Sequence, residues 1–216
     1  MPRFGNSTPS HAAPRHIDPL RLGGGLVALA AFTLIGQGVR RRRLRKLDRT
    51  VRRAAHPKRD GALTTAAYAV CSSAKPHVHP LIASAIAAAA WPRIGKRALL
   101  LPTAAILSTM LDRATREVVQ QHRPPRASHH PGRDRYAFPS GHTTAATAIA
   151  LVTAIELRGH VAPASRRAIQ GAAAVVPVMV GAARIYLDEH WADDVLGGWL
   201  AGTAIACILT GIMPGE

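Results

Sequence analysis

Uncharged apolar runs alternate along the chain with short polar segments, and the charge is concentrated in the polar segments. The first run, residues 22–39, is long enough to cross most of a bilayer at about 1.5 Å rise per residue. Further runs occupy residues 78–91, 98–111, 140–155, 168–183 and 195–213. Together they predict an all-α, membrane-embedded bundle of about six transmembrane helices. Several runs are shorter than the roughly 20 residues of a spanning helix. The helices are therefore expected to extend into their polar flanks, with the polar ends meeting at a site. Residues 61–74 form a weaker seventh segment, compatible with a span, an interfacial helix or a helix lying over the domain. Residues 1–21 mix Pro, His, Ser and Gly without a period and are expected to form a mobile tail. Residues 22–213 then make one membrane domain, with 40–77 as a basic, interfacial connection.

Composition narrows this picture. A hydrophobic share of 48% over 216 residues excludes a disordered chain and fits one domain. About 40 residues are alanine and only 4% are aromatic, so close-packed helices with small side chains are expected and a β-rich sandwich is disfavoured. Small residues recur around Gly171 and at Gly198, Ala201 and Gly202, either as close helix contacts or as plain Ala-rich composition. A mean hydropathy of only +0.06 keeps a soluble helical protein with buried helices as the alternative. The net charge of +16 points to nucleic acid or an anionic membrane surface, and its location decides between them. Eleven of the 28 Lys and Arg residues fall in residues 40–59, directly after the first run, as a juxtamembrane polybasic stretch. The arginines that begin there also make a poor cleavage site, so the first run is expected to be an uncleaved anchor. Cys71 and Cys207 are too few for a disulfide framework, and Cys207 reads as a small buried residue.

Three polar clusters stand at the ends of apolar runs, where charge in a membrane domain calls for a reason. In residues 116–124, Arg116 and Arg123 are two turns apart on one helical face, so both guanidiniums can point at one anion before Pro124 ends the helix. A basic loop at a membrane surface is the plainer explanation of this cluster alone. In the second cluster Ser140, Gly141 and His142 open the fourth run. A helix start offers free N–H groups to an anion, Gly141 permits close approach, and a protonated His142 can give its proton to a departing oxygen. The bland alternative makes Ser140 an N-cap and His142 a surface residue. In the third, residues 184–194, His190 and Asp194 are one turn apart. The carboxylate can therefore receive one imidazole N–H and leave the other nitrogen as a nucleophile. An ordinary helix pair is the alternative. Arg184 precedes His190 by about 240° of helical rotation, so a loop must intervene. Combined, the clusters supply what metal-free phosphoryl transfer demands: charge neutralisation, a nucleophile and an acid. His77, His79, His129 and His130 lack nearby Cys or regularly placed carboxylates and read as loop residues rather than metal ligands.

In order and spacing the clusters resemble the signature of the type 2 phosphatidic acid phosphatase superfamily, written Lys-x6-Arg-Pro, Pro-Ser-Gly-His and Ser-Arg-x5-His-x3-Asp. Here they read Arg116-x6-Arg123-Pro124, Pro139-Ser140-Gly141-His142 and Ala183-Arg184-x5-His190-x3-Asp194, all within residues 98–202. Arg116 stands for the family's Lys, which keeps the charge but replaces a compact ammonium by a planar fork. Ala183 stands for the Ser and removes one hydrogen bond. The resemblance implies a helical membrane enzyme that needs neither metal nor cofactor. His190 would attack phosphorus to form a phosphohistidine, His142 would protonate the leaving oxygen, and Asp194 would orient His190. Arg116, Arg123, Arg184, Ser140 and the Gly141 backbone would hold the phosphate oxygens.

A substrate whose phosphate meets polar helix ends while its tail lies in lipid fits such a site, so lipid phosphates and polyprenyl phosphates or diphosphates are the expected partners, with no nucleic acid. Soluble acid phosphatases and vanadium haloperoxidases share the motifs, and the apolar runs argue against both. A multi-pass protein of the cell membrane is expected. The alternative from another class is a non-catalytic basic membrane protein that binds anionic lipid or nucleic acid through residues 40–59. Many family members place the site on the extracytoplasmic face. With six spans this puts residues 40–59 outside, against the positive-inside rule, unless 61–74 also crosses or the first segment does not. A cytoplasm-facing site satisfies the charge distribution with six spans, while the resemblance favours the other face.

Overall fold

The computed structural model describes residues 17–55, 61–72, 78–125 and 135–213. Among the described residues the α-helices are, in order, α1 (Pro19–Arg40), α2 (Arg45–Ala55), α3 (Gly61–Ser72), α4 (Val78–Ile94), α5 (Leu100–Val119), α6 (Gly141–Glu156), α7 (Pro163–Tyr186) and α8 (Ala192–Ile212). Helix α1 begins earlier than the sequence suggests. Asp18 caps it by accepting the Arg21 N–H (3.0 Å), and Pro19 sits where a missing N–H is harmless, so residues 19–21 are helix rather than tail. The rest of the expected tail, residues 1–16, lies outside the described residues.

Six of these helices run up and down. The Asp18 N–H donates to Gly211 O (3.0 Å), so α1 starts where α8 ends, and Gly36 near its other end packs on Phe138. Helix α4 starts beside α6, the His79 and His142 rings lying 5.8 Å apart. Gly95, at a left-handed φ of 51°, reverses the chain between α4 and α5. Arg97 in that reversal pairs with Glu156 at the far end of α6 and donates to Met213 O beyond α8. Helix α5 then returns to the α6 start, α7 comes back from the far end, and α8 leaves again. All three polar clusters thereby reach one end of the bundle.

Among the described residues, four stretches are long and apolar enough to cross a bilayer: Pro19–Arg40, Val78–Val119, Pro163–Tyr186 and Ala192–Ile212. The second is the α4–α5 hairpin, and the 16-residue α6 stands between it and α7. Large apolar side chains such as Leu20, Leu26, Leu34, Leu81, Met110 and Met179 face outward, while Ala83, Ala87, Ala90, Ala104, Ala105 and Ala148 fill the interior. This inverts the pattern of a water-soluble protein and sets the soluble alternative aside.

Helix α3 does not cross the bundle. Both the end of α1 and the start of α4 lie at the polar end, and α3 packs there on the end of α7, Ala67 and Cys71 meeting Ala183 and Leu187. The Thr64 and Tyr186 hydroxyls share a hydrogen bond of 3.1 Å. Residues 73 and 74 lie outside the described residues. The basic residues of α2 accordingly share one face of the bundle with the three clusters.

Helices α6 and α8 touch through glycine. A Cβ on Gly202 would lie 2.5 Å from Thr144 O, and one on Gly198 would lie 2.9 Å from Ser140 O. Gly202→Val is expected to cost about 1–3 kcal/mol by forcing these backbones apart, lowering the melting temperature in detergent by several degrees. Gly171→Ala, with nothing within 4 Å of the added carbon, should leave the melting temperature unchanged or higher; equal melting of both variants with the parent would refute the contact.

Candidate active site

Each cluster is delivered by a helix end. In the last turn of α5, buried Arg116 forks onto Asp112 one turn earlier, Nε to Oδ1 and Nη2 to Oδ2, both at 2.9 Å. Gln120 takes a left-handed φ of 53° and ends the helix. The chain continues past Gln121, whose carbonyl accepts the Ala137 N–H (2.7 Å), and this brings Arg123 inward. Arg123 Nη1 donates to Glu189 O (3.0 Å) and lies 3.1 Å from His190 Nε2.

Ser140 is fully buried just before α6. Its N–H donates to Asp194 O (2.9 Å) and its Oγ accepts from Thr143 Oγ1 (2.9 Å). It stands at the N-cap position without a side-chain cap bond, so the reading of Ser140 as a mere cap does not hold and its side chain claims no N–H of the first turn of α6. Gly141 has a reason the sequence did not reveal: a Cβ there would come within 2.8 Å of Asp112 Oδ2, the oxygen that holds Arg116. His142 is half-buried against His79 rather than on the surface.

The loop required between Arg184 and His190 is a tight turn. The Glu189 and His190 N–H groups both donate to Arg184 O (3.0 and 3.3 Å), with Asp188 at a left-handed φ of 58°. Arg184 Nη2 lies 2.6 Å from Glu189 Oε2, and its buried Nε has no hydrogen-bond partner among the described residues. His190 is buried, with Nδ1 3.2 Å from Asp194 Oδ2. The same oxygen accepts the Trp191 N–H (2.8 Å) and so caps α8. With Nδ1 donating to the carboxylate, Nε2 carries the lone pair, and Arg123 is its donor.

The electrostatics show that the groups converge. Burial, then the guanidiniums of Arg123, Arg184 and Arg116 and the His142 ring, hold His190 well below the ordinary histidine value of 6.5. It is neutral near pH 7. Burial and repulsion from Arg116 and Arg184 push Arg123 down to about 10, still cationic at neutral pH. Three crowded guanidiniums around a neutral imidazole make a cradle for a tetrahedral anion.

All eight residues singled out from the sequence thus stand at one end of the bundle. Ala183, where the resemblance has Ser, packs against Ala67 and Cys71 of α3. Sequence reasoning missed Asp112 and Glu189, the partners of two arginines, and misplaced His79. Far from being a loop residue, His79 is buried in the first turn of α4, its Nε2 without a hydrogen-bond partner among the described residues, at the head of an apolar groove of about 290 Å³ between α4, α6 and α7. Its aromatic neighbour His142 was the only available clue, and it lies in another helix. His77, His129 and His130 lie outside the described residues. Among the described residues no group of three or more His, Cys, Asp or Glu side chains is placed to hold a metal ion.

Comparison with known proteins places the chain among relatives. Over 78 residues the chain is 35% identical to phosphatidylglycerophosphatase B of Bacillus subtilis (strain 168), an alignment covering 35% of this chain and 38% of that protein. The chain thus matches little more than a third of that relative's length. The crystal structure described as the first transmembrane PAP2 type phosphatidylglycerolphosphate phosphatase from Bacillus subtilis has the same fold, with a TM-score of 0.75 at 23% identity, covering 86% of this chain and 94% of that one. A family model matches residues 97–216, more than half of the chain and all three clusters, and the chain therefore belongs to the PAP2 superfamily.

Proposed function

We propose that this protein is a phosphatase of the cell membrane that hydrolyses a lipid phosphate, or a polyprenyl phosphate or diphosphate, through a phosphohistidine. The observation that carries the reading is His190: buried, neutral, oriented by Asp194 through Nδ1, and ringed by Arg116, Arg123 and Arg184. In the first step the Nε2 lone pair attacks phosphorus as Arg123 moves from that nitrogen to a phosphate oxygen. The bond from phosphorus to the leaving oxygen breaks, and His142 protonates that oxygen, giving the lipid alcohol from a monophosphate or the lipid phosphate from a diphosphate. In the second step His142 takes a proton from water, whose oxygen attacks phosphorus. The P–N bond breaks, phosphate is released and His190 is restored. No metal enters either step. Arg184 Nε and the N–H groups at the start of α6 supply further donors to the equatorial oxygens.

The groove headed by His79 supports a lipid leaving group. Ile82, Ile86, Ile149, Val176 and Val180 line it, and it runs from beside His142 along the bundle between helices that face the bilayer. A chain bonded to the departing oxygen would lie there. The relative's name as a phosphatidylglycerophosphatase supports a phospholipid substrate for this chain.

Phosphate release from a panel of lipid phosphates and diphosphates, in detergent with chelator present, tests the reading. His190→Ala should lower kcat roughly 10³-fold or more, and Asp194→Asn about 10²- to 10⁴-fold. Hydrolysis that survives His190→Ala, or stops with chelator, would sink it. A quenched reaction should also yield a protein-bound phosphoryl group that survives alkali and is lost in acid.

The depressed pKa of His190 has a kinetic sign. Protonation of the nucleophile in the free enzyme begins only well below 6.5, so kcat/KM should not fall through the normal histidine range as pH drops. Once corrected for ionisation of the substrate phosphate near about pH 6, the acid limb should lie below that range. An acid limb at 6.5 after this correction would show that His190 is not held neutral by its neighbours.

A further inference from the structure

A cavity of about 530 Å³ opens at the polar end between α1, α2 and α5, helices distinct from the three that line the apolar groove. Arg40, Arg42, Arg45 and Arg49 line it, and it reaches the site through Arg123 and Trp191. Among the described residues none of those first four guanidiniums forms a hydrogen bond or ion pair. Arg42 holds a left-handed φ of 59°, in the closing turn of α1 where glycine is the usual occupant. The two carboxylates that line the cavity, Asp48 and Asp193, are engaged structurally. Asp48 Oδ1 accepts the Asp193 N–H (3.2 Å), and Asp193 Oδ1 accepts from Gln121 Nε2 (2.7 Å). Burial raises the Asp48 pKa, which weakens it further as a counter-charge.

The cavity is also wired to the catalytic turn. Helix α2, which presents Arg45 and Arg49 to the cavity, carries Arg52 one turn after Asp48. Arg52 forks onto Asp188, Nε to Oδ1 at 2.7 Å and Nη2 to Oδ2 at 2.9 Å, and its guanidinium lies 5.8 Å from the centre of the Trp191 ring. Asp188 and Trp191 bracket His190, and Asp48 holds the first turn of α8. Whatever fixes α2 fixes the segment that carries the nucleophile. At this depth, where α1 leaves the apolar layer, the anion available in a membrane is a phospholipid phosphate.

We propose that this cavity binds the phosphate headgroup of an anionic phospholipid, and that its occupancy steadies the His190 turn through α2 and raises the catalytic rate. The activation rests on the phosphatase reading; the binding does not. The purified full chain, His190→Ala, and a triple variant with Arg40, Arg45 and Arg49 each changed to Gln would first be compared by native mass spectrometry with phosphatidylserine and with phosphatidylcholine. The parent and His190→Ala should retain phosphatidylserine selectively, and the triple variant, melting at the parent's temperature, should not. Turnover of a water-soluble phosphomonoester would then be measured in phosphatidylcholine vesicles with and without phosphatidylserine. The parent should gain about five-fold or more, within the usual range of coupling between sites. The triple variant should keep its rate in neutral vesicles and gain nothing.

Equal lipid retention by the triple variant overturns the site. Retention without activation overturns the coupling through α2. Activation by millimolar inorganic phosphate in neutral vesicles overturns the lipid assignment in favour of a free anion. Selective retention in a parent that hydrolyses nothing upholds the binding while the phosphatase reading falls.

Discussion

Everything at the polar end follows from holding three guanidiniums together out of water. Buried cations are tolerated only where carboxylates and hydrogen bonds compensate them. Asp112 does this for Arg116, Glu189 for Arg184, and the Glu189 carbonyl together with the His190 ring for Arg123. The compensation is incomplete, since burial and then its two cationic neighbours still push Arg123 down. In the phosphatase reading a phosphate dianion would supply counter-charge here, so the repulsion among the guanidiniums would favour the ligand. The requirement also shapes the backbone. Gly141 is bare because Asp112 needs the space, and Asp188 accepts a left-handed conformation so that Arg184 and His190 can face one another across a turn.

The fold was legible wherever one property repeated along the chain. Apolar runs located the six long helices, and an alanine-rich, aromatic-poor composition announced an interior such as Ala83, Ala87 and Ala104. Boundaries drifted where capping chemistry decides them, as at Asp18 and Pro19. Segment 61–74 was ambiguous because its apolar content suits lipid or protein equally well. The place of α3 is set by packing on the end of α7, which no local pattern encodes.

The candidate site was legible in the residues that its motifs name and not in their supports. Motif spacing carries His190, Asp194, His142 and the three arginines because a turn of fixed length and two helix ends must present them in register. Asp112 sits one turn before Arg116 and reads as an ordinary surface pair until the helix is buried. His79 reaches His142 only through the packing of α4 on α6, and Arg52 reaches Asp188 across most of the sequence. Contacts of that kind are properties of tertiary structure alone.

The apolar groove under His79 and the arginine-lined cavity beside Arg123 flank the catalytic cluster on different sets of helices. For the reaction proposed, this separates the fates of the two products by phase. A liberated alcohol is already dissolved in the hydrocarbon as the bond breaks, whereas the inorganic ion is left among the guanidiniums of the polar end. Neither has to wait for the other to clear, and recombination would require both to return from different solvents at once.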